Sequence, residues 1–313
     1  MEREFIKDQV TAIMPVYNEE RFLRQCLESV VDQVDRVVIT DNASTDSTEA
    51  ICREFAEKYP HILYVRNKEN LGSCKNFLIA LSYVNTEFFI VPGGHDIVGF
   101  DFCRVLKKRL NENPDCLMAV GKIQLIDKFD NEIRNGYHSN IYKGQKYFMS
   151  NNQYMRAYGS LRYGANNIFF GMYRNSTVDL WKNFSHVFLG PDIVSVFAIQ
   201  IKGKTFYDGS VTFYRRDVYG METGMYKVTD YFKRVLGNKN NYSISELAQV
   251  FNNTLLENFN SIPDPCSLSE RYWKLRTRLK IFRKYFHARM RETLLFSFAL
   301  SVKNFFRCRL GIR

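Results

Sequence analysis

VTAIMPVYNEE at residues 10–20 and RVVITDNASTDST at residues 36–48 follow one pattern: an apolar run breaks into polar residues and then into a helical periodicity. Each reads as a strand whose carboxyl end feeds a helix. In an open parallel sheet those carboxyl ends line the ligand crevice. The pair therefore predicts that Tyr17, Asn18, Asp41, Asn42 and Asp46 gather around one nucleotide-sized site. Taken singly the pieces are ordinary, since Asn18 followed by two glutamates, or Asp46 before Ser47 and Thr48, also reads as a helix start. The two loops together, at this spacing, carry the functional reading.

Outward from these loops, apolar runs at 10–16, 35–40, 62–66 and 87–91 alternate with helical patterns at about 19–31, 47–58, 72–84 and 99–112. This alternation predicts an α/β fold with parallel strands joined by right-handed crossovers. A further strand is expected at 116–125, and residues 127–160, rich in Asn, Tyr and Gly, suit an excursion better than sheet. Regular structure resumes at 165–173 (ANNIFFGMY), with helices near 175–183 and 192–202 and a strand at 205–214. Residues 219–230 (YGMETGMYKVTD) hold two glycines and no period, which reads as a mobile loop. From Tyr272 to Phe305 apolar residues recur at steps of three or four, the stripe of one long amphipathic helix or of two in succession.

Composition limits the function classes. The 313 residues, 45% hydrophobic and 25% charged, allow one large α/β domain with an appendage and show no bias toward disorder or fibrous repeats. The opening MEREFIKDQV lacks the basic start and apolar stretch of a secretory signal, so a cytoplasmic location is expected. Seven scattered cysteines suit a reducing compartment better than a disulfide framework or a zinc site. The net charge of +11 is uneven: residues 271–313 hold thirteen Lys or Arg against Glu292 alone, a net +12, which leaves −1 for the rest. Such a basic amphipathic stretch reads as a helix on an anionic membrane surface, with Trp273, Phe282, Phe286 and Phe298 entering the lipid boundary. The alternative is that its apolar stripe docks on the catalytic body. Nucleic acid is not expected as a partner, because no reader motif accompanies the charge.

The two opening loops closely resemble those of family 2 glycosyltransferases of the GT-A fold. There the first strand ends in a Pro-Val-Tyr-Asn-Glu-like loop and the second in Asp-Asn/Gly-Ser-x-Asp. The resemblance covers about residues 8–217, and further motifs extend it. Asn70-Leu71-Gly72-Ser73-Cys74-Lys75-Asn76 looks like the family's Asn-x-Gly-x-x-Arg-Asn turn, with lysine in place of arginine and so without the bidentate fork. Phe213-Tyr214-Arg215-Arg216-Asp217 resembles the terminal Tyr-Arg-Arg-His, with aspartate in place of histidine. The resemblance implies donor contacts from Pro15, Tyr17, Glu19, Asp41, Asn42, Gly72, Lys75, His95 and Arg215. An aromatic edge can pack a base while a carboxylate accepts its ring N–H, the role implied for Asp41.

Two departures concern the chemistry. Where the family shows Asp-Ala-Asp-Asp after the fourth strand, this chain reads Gly93-Gly94-His95-Asp96. Asp96 is then the candidate ligand for Mn²⁺ or Mg²⁺, with His95 and Asp217 as further candidates, because the donor diphosphate supplies most of the oxygens such a cation needs. The same turn also reads as a tight connection with Asp96 as a cap. Where the family shows Gly-Glu-Asp before an apolar helix, this chain reads Gly190-Pro191-Asp192, and the resemblance implies Asp192 as the catalytic base. Pro-Asp is equally a good helix start, and one residue can do both.

These parts imply an inverting transferase. A metal at Asp96 with Lys75 or Arg215 would neutralise the leaving diphosphate, and Asp192 would take the proton of the attacking hydroxyl in one in-line displacement. The expected donor is a UDP-sugar and the expected acceptor a hydroxyl of a glycan or lipid-linked carrier in cell-surface polysaccharide synthesis, at the inner face of the plasma membrane. Residues 1–218 would form the catalytic domain, and residues 219–313 a loop and a basic helical region. A sugar nucleotidyltransferase of the same fold would need a glycine-rich, basic phosphate loop after strand one, which MPVYNEE lacks. A catalytically degenerate nucleotide-sugar-binding scaffold is the non-enzymatic alternative, raised by Gly93, Pro191 and Asp217.

Overall fold

The computed structural model describes residues 5–133, 141–163, 168–182, 191–218 and 244–290. Among the described residues eight strands form one sheet in the order β3-β2-β1-β4-β7-β6-β8-β5. They are β1 (Ile6–Val16), β2 (Arg36–Asp41), β3 (Ile62–Arg66), β4 (Thr86–Ile90), β5 (Ile97–Val98), β6 (Cys116–Ile126), β7 (Met172–Arg174) and β8 (Lys204–Arg216). The first four pair in parallel, as the alternation predicts. β6 and β8 are also parallel. The sheet is thus mostly parallel, as expected; the exceptions are β7, which runs antiparallel to both β4 and β6, and β5, which is antiparallel to β8. Both strands are two or three residues long, too short to carry a hydrophobic period.

Residues 10–14 are buried, as expected of a strand covered on both faces, which is why this stretch reads as an unbroken apolar run. Helices α1 (Leu23–Val30), α2 (Thr48–Lys58), α3 (Ser73–Ser82) and α4 (Phe102–Glu112) are the crossovers, each with an inward apolar face. Among the described residues of the excursion expected at 127–160 there is no sheet strand, but part of it is helical: α5 (Ile141–Phe148) and α6 (Gln153–Arg162). Asn152 caps α6 by accepting the Met155 amide at 3.0 Å. The later helices are α7 (Val178–Lys182), α8 (Pro191–Lys202), α9 (Ile244–Asn260) and α10 (Leu268–Met290). The loop expected at 219–230 lies outside the described residues.

The main core lies around the sheet. A second core joins α6 and α8 to the C-terminal helices through Tyr154, Phe197, Leu255, Phe259 and Ile281. The described part of the C-terminal region therefore shares a core with helices α6 and α8 of the preceding body. Trp273, expected in lipid, instead packs among Tyr147, Tyr158 and Tyr272 with ring centroids 5.1–5.7 Å apart. Thr277 donates to the Tyr154 carbonyl at 3.1 Å, and Ile281 is fully buried. Phe298 lies outside the described residues, and the surroundings of Phe282 and Phe286 are likewise not described.

Candidate active site

The strand order reverses between β1 and β4: β2 and β3 follow on one side of β1, and β4 lies on the other. A ligand crevice opens outside the carboxyl ends of strands at such a switch point. Residues 17–20 leave β1 there and residues 91–96 leave β4. They meet across the gap, where His95 Nδ1 lies 3.0 Å from Glu19 Oε2. Gly94 permits the approach, because a Cβ on it would lie 3.0 Å from Glu19 Cγ and 3.1 Å from Val16 Cγ1.

The two opening loops are stitched together. Asn18 adopts φ +54°, a left-handed conformation that asparagine tolerates. Its amide donates to Ser44 Oγ at 2.9 Å, and its side chain accepts the Thr45 amide at 2.8 Å. The Glu19 amide donates to Thr48 Oγ1 at 2.8 Å. Asp46 accepts the Thr48 and Glu20 amides at 3.0 and 3.2 Å, so it serves the loop junction. Pro15 sits in register with Thr40 one strand away and is half-buried, as is Tyr17.

Asp41 ends β2 fully buried. Its Oδ1 accepts the Ser44 amide at 2.8 Å, and its Oδ2 accepts the Tyr64 hydroxyl at 2.8 Å and the Arg66 guanidinium. Burial alone would raise its pKa, but these hydrogen bonds outweigh it and hold the carboxyl below its ordinary value. The expectation that Asp41 itself meets the base therefore needs correction: its oxygens are covered, and Tyr64 and Arg66 are the half-buried groups lying over them. Burial and the Asp41 carboxylate push the Tyr64 phenol well up. Both residues went unnoticed in the sequence. The available signal was the YVR end of β3, whose residues 64 and 66 share a face and pair in register with Ile39 and Asp41.

An amide network extends the site to α3. Asn42 Nδ2 donates to Asn70 Oδ1 at 2.7 Å, and Asn42 Oδ1 accepts the Leu71 amide at 2.9 Å. Asn67 Nδ2 donates to Asn42 and Asn76 at 3.2 and 3.0 Å. Buried Asn76 donates to the carbonyls of Thr40 and Val16 at 2.8 and 3.4 Å, tying the ends of β2 and β1 to α3. Gly72 precedes α3 at φ +84°, which favours glycine, and Lys75 is exposed in the first helical turn.

Asp96 does not fit a metal ligand. It is 1% exposed, its Oδ2 accepts the Gly93 amide at 3.1 Å, and its Oδ1 accepts the Arg216 amide at 3.0 Å. Burial raises its pKa, against the opposing pull of His95, Arg215 and the two amides. The carboxylate closes the turn and fastens it to β8. Among the described residues no group of three or more His, Cys, Asp and Glu side chains is disposed to hold a metal ion, His95 and Asp217 included.

Arg216 is likewise turned inward. It donates to the His95 carbonyl at 2.8 Å, the Asp127 carbonyl at 3.1 Å and Gln25 Oε1 at 2.8 Å, pairs with Asp130, and stacks 4.4 Å from the Phe22 ring. Arg215 remains half-buried over the Phe170 ring at 5.6 Å, its charge reaching Asp96. Asp192 lies in the first turn of α8, half-buried. Burial pushes the Cys74 thiol up to about 11 and the Tyr173 phenol well up, and the Asp192 charge adds to both.

A large, mostly parallel sheet flanked by helices, with a crevice at its switch point, defines a nucleotide-type α/β protein of GT-A architecture. The model of Glycosyl transferase family 2 matches residues 11–176, more than half of the chain, and the chain belongs to that family. It is 30% identical over 149 residues to the abequosyltransferase RfbV of Salmonella typhimurium, covering 46% of this chain and 44% of that protein. It is 34% identical over 95 residues to the minor teichoic acid biosynthesis protein GgaB of Bacillus subtilis, covering 28% and 10%. The chain thus spans less than half the length of these relatives.

Among solved structures, TarS 1-349 of Staphylococcus aureus superposes with a TM-score of 0.53 at 15% identity over 90% of both chains. TarS 1-349 in complex with UDP-GlcNAc gives 0.52 at 15% identity, covering 88% and 81%. The mannosyltransferase PcManGT of Pyrobaculum calidifontis, in complex with GDP-Man and Mn²⁺, gives 0.50 at 14% identity, covering 98% and 81%. At these identities the likeness carries the fold.

Proposed function

We propose that the protein is an inverting glycosyltransferase. It moves a sugar from a UDP-sugar to a hydroxyl of a glycan or lipid-linked acceptor in cell-surface polysaccharide synthesis, at the inner face of the plasma membrane. Family membership supports the activity. The names of the abequosyltransferase and teichoic acid relatives support the pathway class, and the UDP-GlcNAc complex of TarS supports the donor class.

The observation that carries the reading is the crevice at the β1–β4 switch point, where His95 Nδ1 meets Glu19 Oε2 at 3.0 Å; Asp192, in the first turn of α8, is the base this reading requires. In the proposed reaction the base rests on the Tyr17, Tyr64 and Arg66 side. Lys75, Arg215 and His95 offset charge on the diphosphate. Asp192 accepts the proton of the acceptor hydroxyl as that oxygen attacks the anomeric carbon opposite the leaving group, which inverts the centre.

Asp192→Asn should keep donor affinity within about threefold while turnover falls by roughly 10²–10⁴. Calorimetry with UDP-sugars and radiolabelled transfer measure the two quantities, and retained turnover would overturn the assignment. Gly93 and the inward Asp96 favour a second reading, a donor-binding scaffold without turnover. Donor hydrolysis by the purified protein that is lost in Asp192→Asn decides against it.

A further inference from the structure

Helix α10 has two faces with different surroundings. Trp273, Thr277 and Ile281, spaced by four, dock on α6 and the second core. Tyr272, Leu275 and Leu279, spaced by three and four, are 50%, 59% and 51% exposed. Side chains three, four and seven apart share a helix face, so these three form one continuous apolar band away from the docked side. Arg271 and Arg278, both exposed and two turns apart, run along one margin. Arg276 marks the other, reaching the hydroxyls of Tyr272 at 2.7 Å and Tyr158 at 3.0 Å.

We infer that this outer face is a lipid-contact surface. Tyr272, Leu275 and Leu279 enter the boundary between headgroups and acyl chains, and the flanking arginines meet anionic headgroups. Charge selects the occupant: the segment 271–313 that contains the band holds a net +12, whereas the remaining chain holds −1. The docked and the membrane-facing readings of the tail are then both true, each for a different face. The inference names the face for the membrane association proposed above and rests on that reading. Among the described residues no helix is long and apolar enough to cross a membrane, so the contact lies in the plane of the interface.

The test is co-sedimentation of the full chain with phosphatidylcholine vesicles, with and without phosphatidylglycerol. Alongside it runs a Tyr272→Ser, Leu275→Ser, Leu279→Ser variant whose thermal midpoint and elution volume are checked first. The expected result is pelleting of the native chain with phosphatidylglycerol vesicles and at least about tenfold weaker partitioning of the variant. A second arm uses brominated lipid, which should quench a Leu275→Trp variant and leave the emission of native Trp273 and Trp181 nearly unchanged. Equal pelleting of native and variant chains overturns the face while leaving membrane association standing. Failure of both to pellet overturns the two together. A variant that pellets equally but elutes as a smaller species assigns the band to contact between copies.

Discussion

The Gly93 amide donates to Asp96 Oδ2 at 3.1 Å, and a Cβ on residue 93 would stand 2.7 Å from that same oxygen. The absence of an acid at position 93 and the inward turn of Asp96 are therefore one feature: the space an acidic side chain would fill is occupied by a buried carboxylate held by two backbone amides. Restoring an acid with Gly93→Asp would bring two carboxylates together out of water, and even Gly93→Ala requires the turn to shift. We expect Gly93→Ala to cost about 1–3 kcal/mol and Gly93→Asp more, read as the fall in urea midpoint at constant slope. If Gly93→Asp is as stable as the native chain and gains metal-dependent donor binding, the structural role of Asp96 is wrong.

Asp41 predicts a pH dependence. Its folded-state pKa lies below the ordinary value, so it contributes stability that is present above the unfolded carboxylate pKa and lost as pH falls through the folded one. Other lowered carboxylates, among them Asp115 and Asp208, act in the same direction, so the informative quantity is the difference between native and Asp41→Asn chains. At pH 7 that difference should be about 1–3 kcal/mol, because Arg66 and Tyr64 lose a charged acceptor, and it should shrink as pH drops below about 4. Chemical denaturation at stepped pH measures it. A difference that stays constant with pH would remove Asp41 as a source of acid sensitivity.

Much of the fold was legible because β1 to β4 and their crossovers obey local rules: apolar runs of strand length, polar breaks, then a helical period. The crevice loops were legible for the same reason, and Asn18, Ser44 and Thr48 join them as that reading requires. β5 and β7 escaped because two or three residues carry no period and their place is set by pairing. The sequence left Asp96 open between a metal ligand and a turn residue, because the direction of its carboxylate depends on Arg216, 120 residues away, whose amide holds it. Tyr64 and Arg66 escaped because nothing local in YVRN shows that it will lie beside Asp41. In α10, the stripe from Tyr272 was visible, but which side would dock depended on the aromatic cluster of Tyr147 and Tyr158.

Asn76 should be a positioning residue for the donor loops. Its amide bonds both central strands while its oxygen accepts from Asn67, so Asn76→Ala leaves the buried Thr40 carbonyl without that donor. The expected cost is about 1–3 kcal/mol. If the network orients Asn70 to Gly72 for the donor, affinity for a UDP-sugar should also fall in Asn76→Ala while remaining near native in Ser82→Ala, a control at the far end of α3. Calorimetry separates the two, and equal affinities would confine Asn76 to the fold.

Trp273 distinguishes a docked helix from one held only by lipid. Its indole lies among three tyrosine rings, and the turns that follow bury Thr277 and Ile281. Trp273→Ala should open a cavity at that joint and cost about 2–4 kcal/mol, somewhat below a fully enclosed tryptophan because the site is half-buried. The loss should be local first. Hydrogen exchange in lipid-free buffer should accelerate across α10 and the facing turns of α6, while the amides of β1 and β2 keep their protection. A helix resting on the body without energetic contact would exchange quickly in the native chain already, and Trp273→Ala would then change nothing.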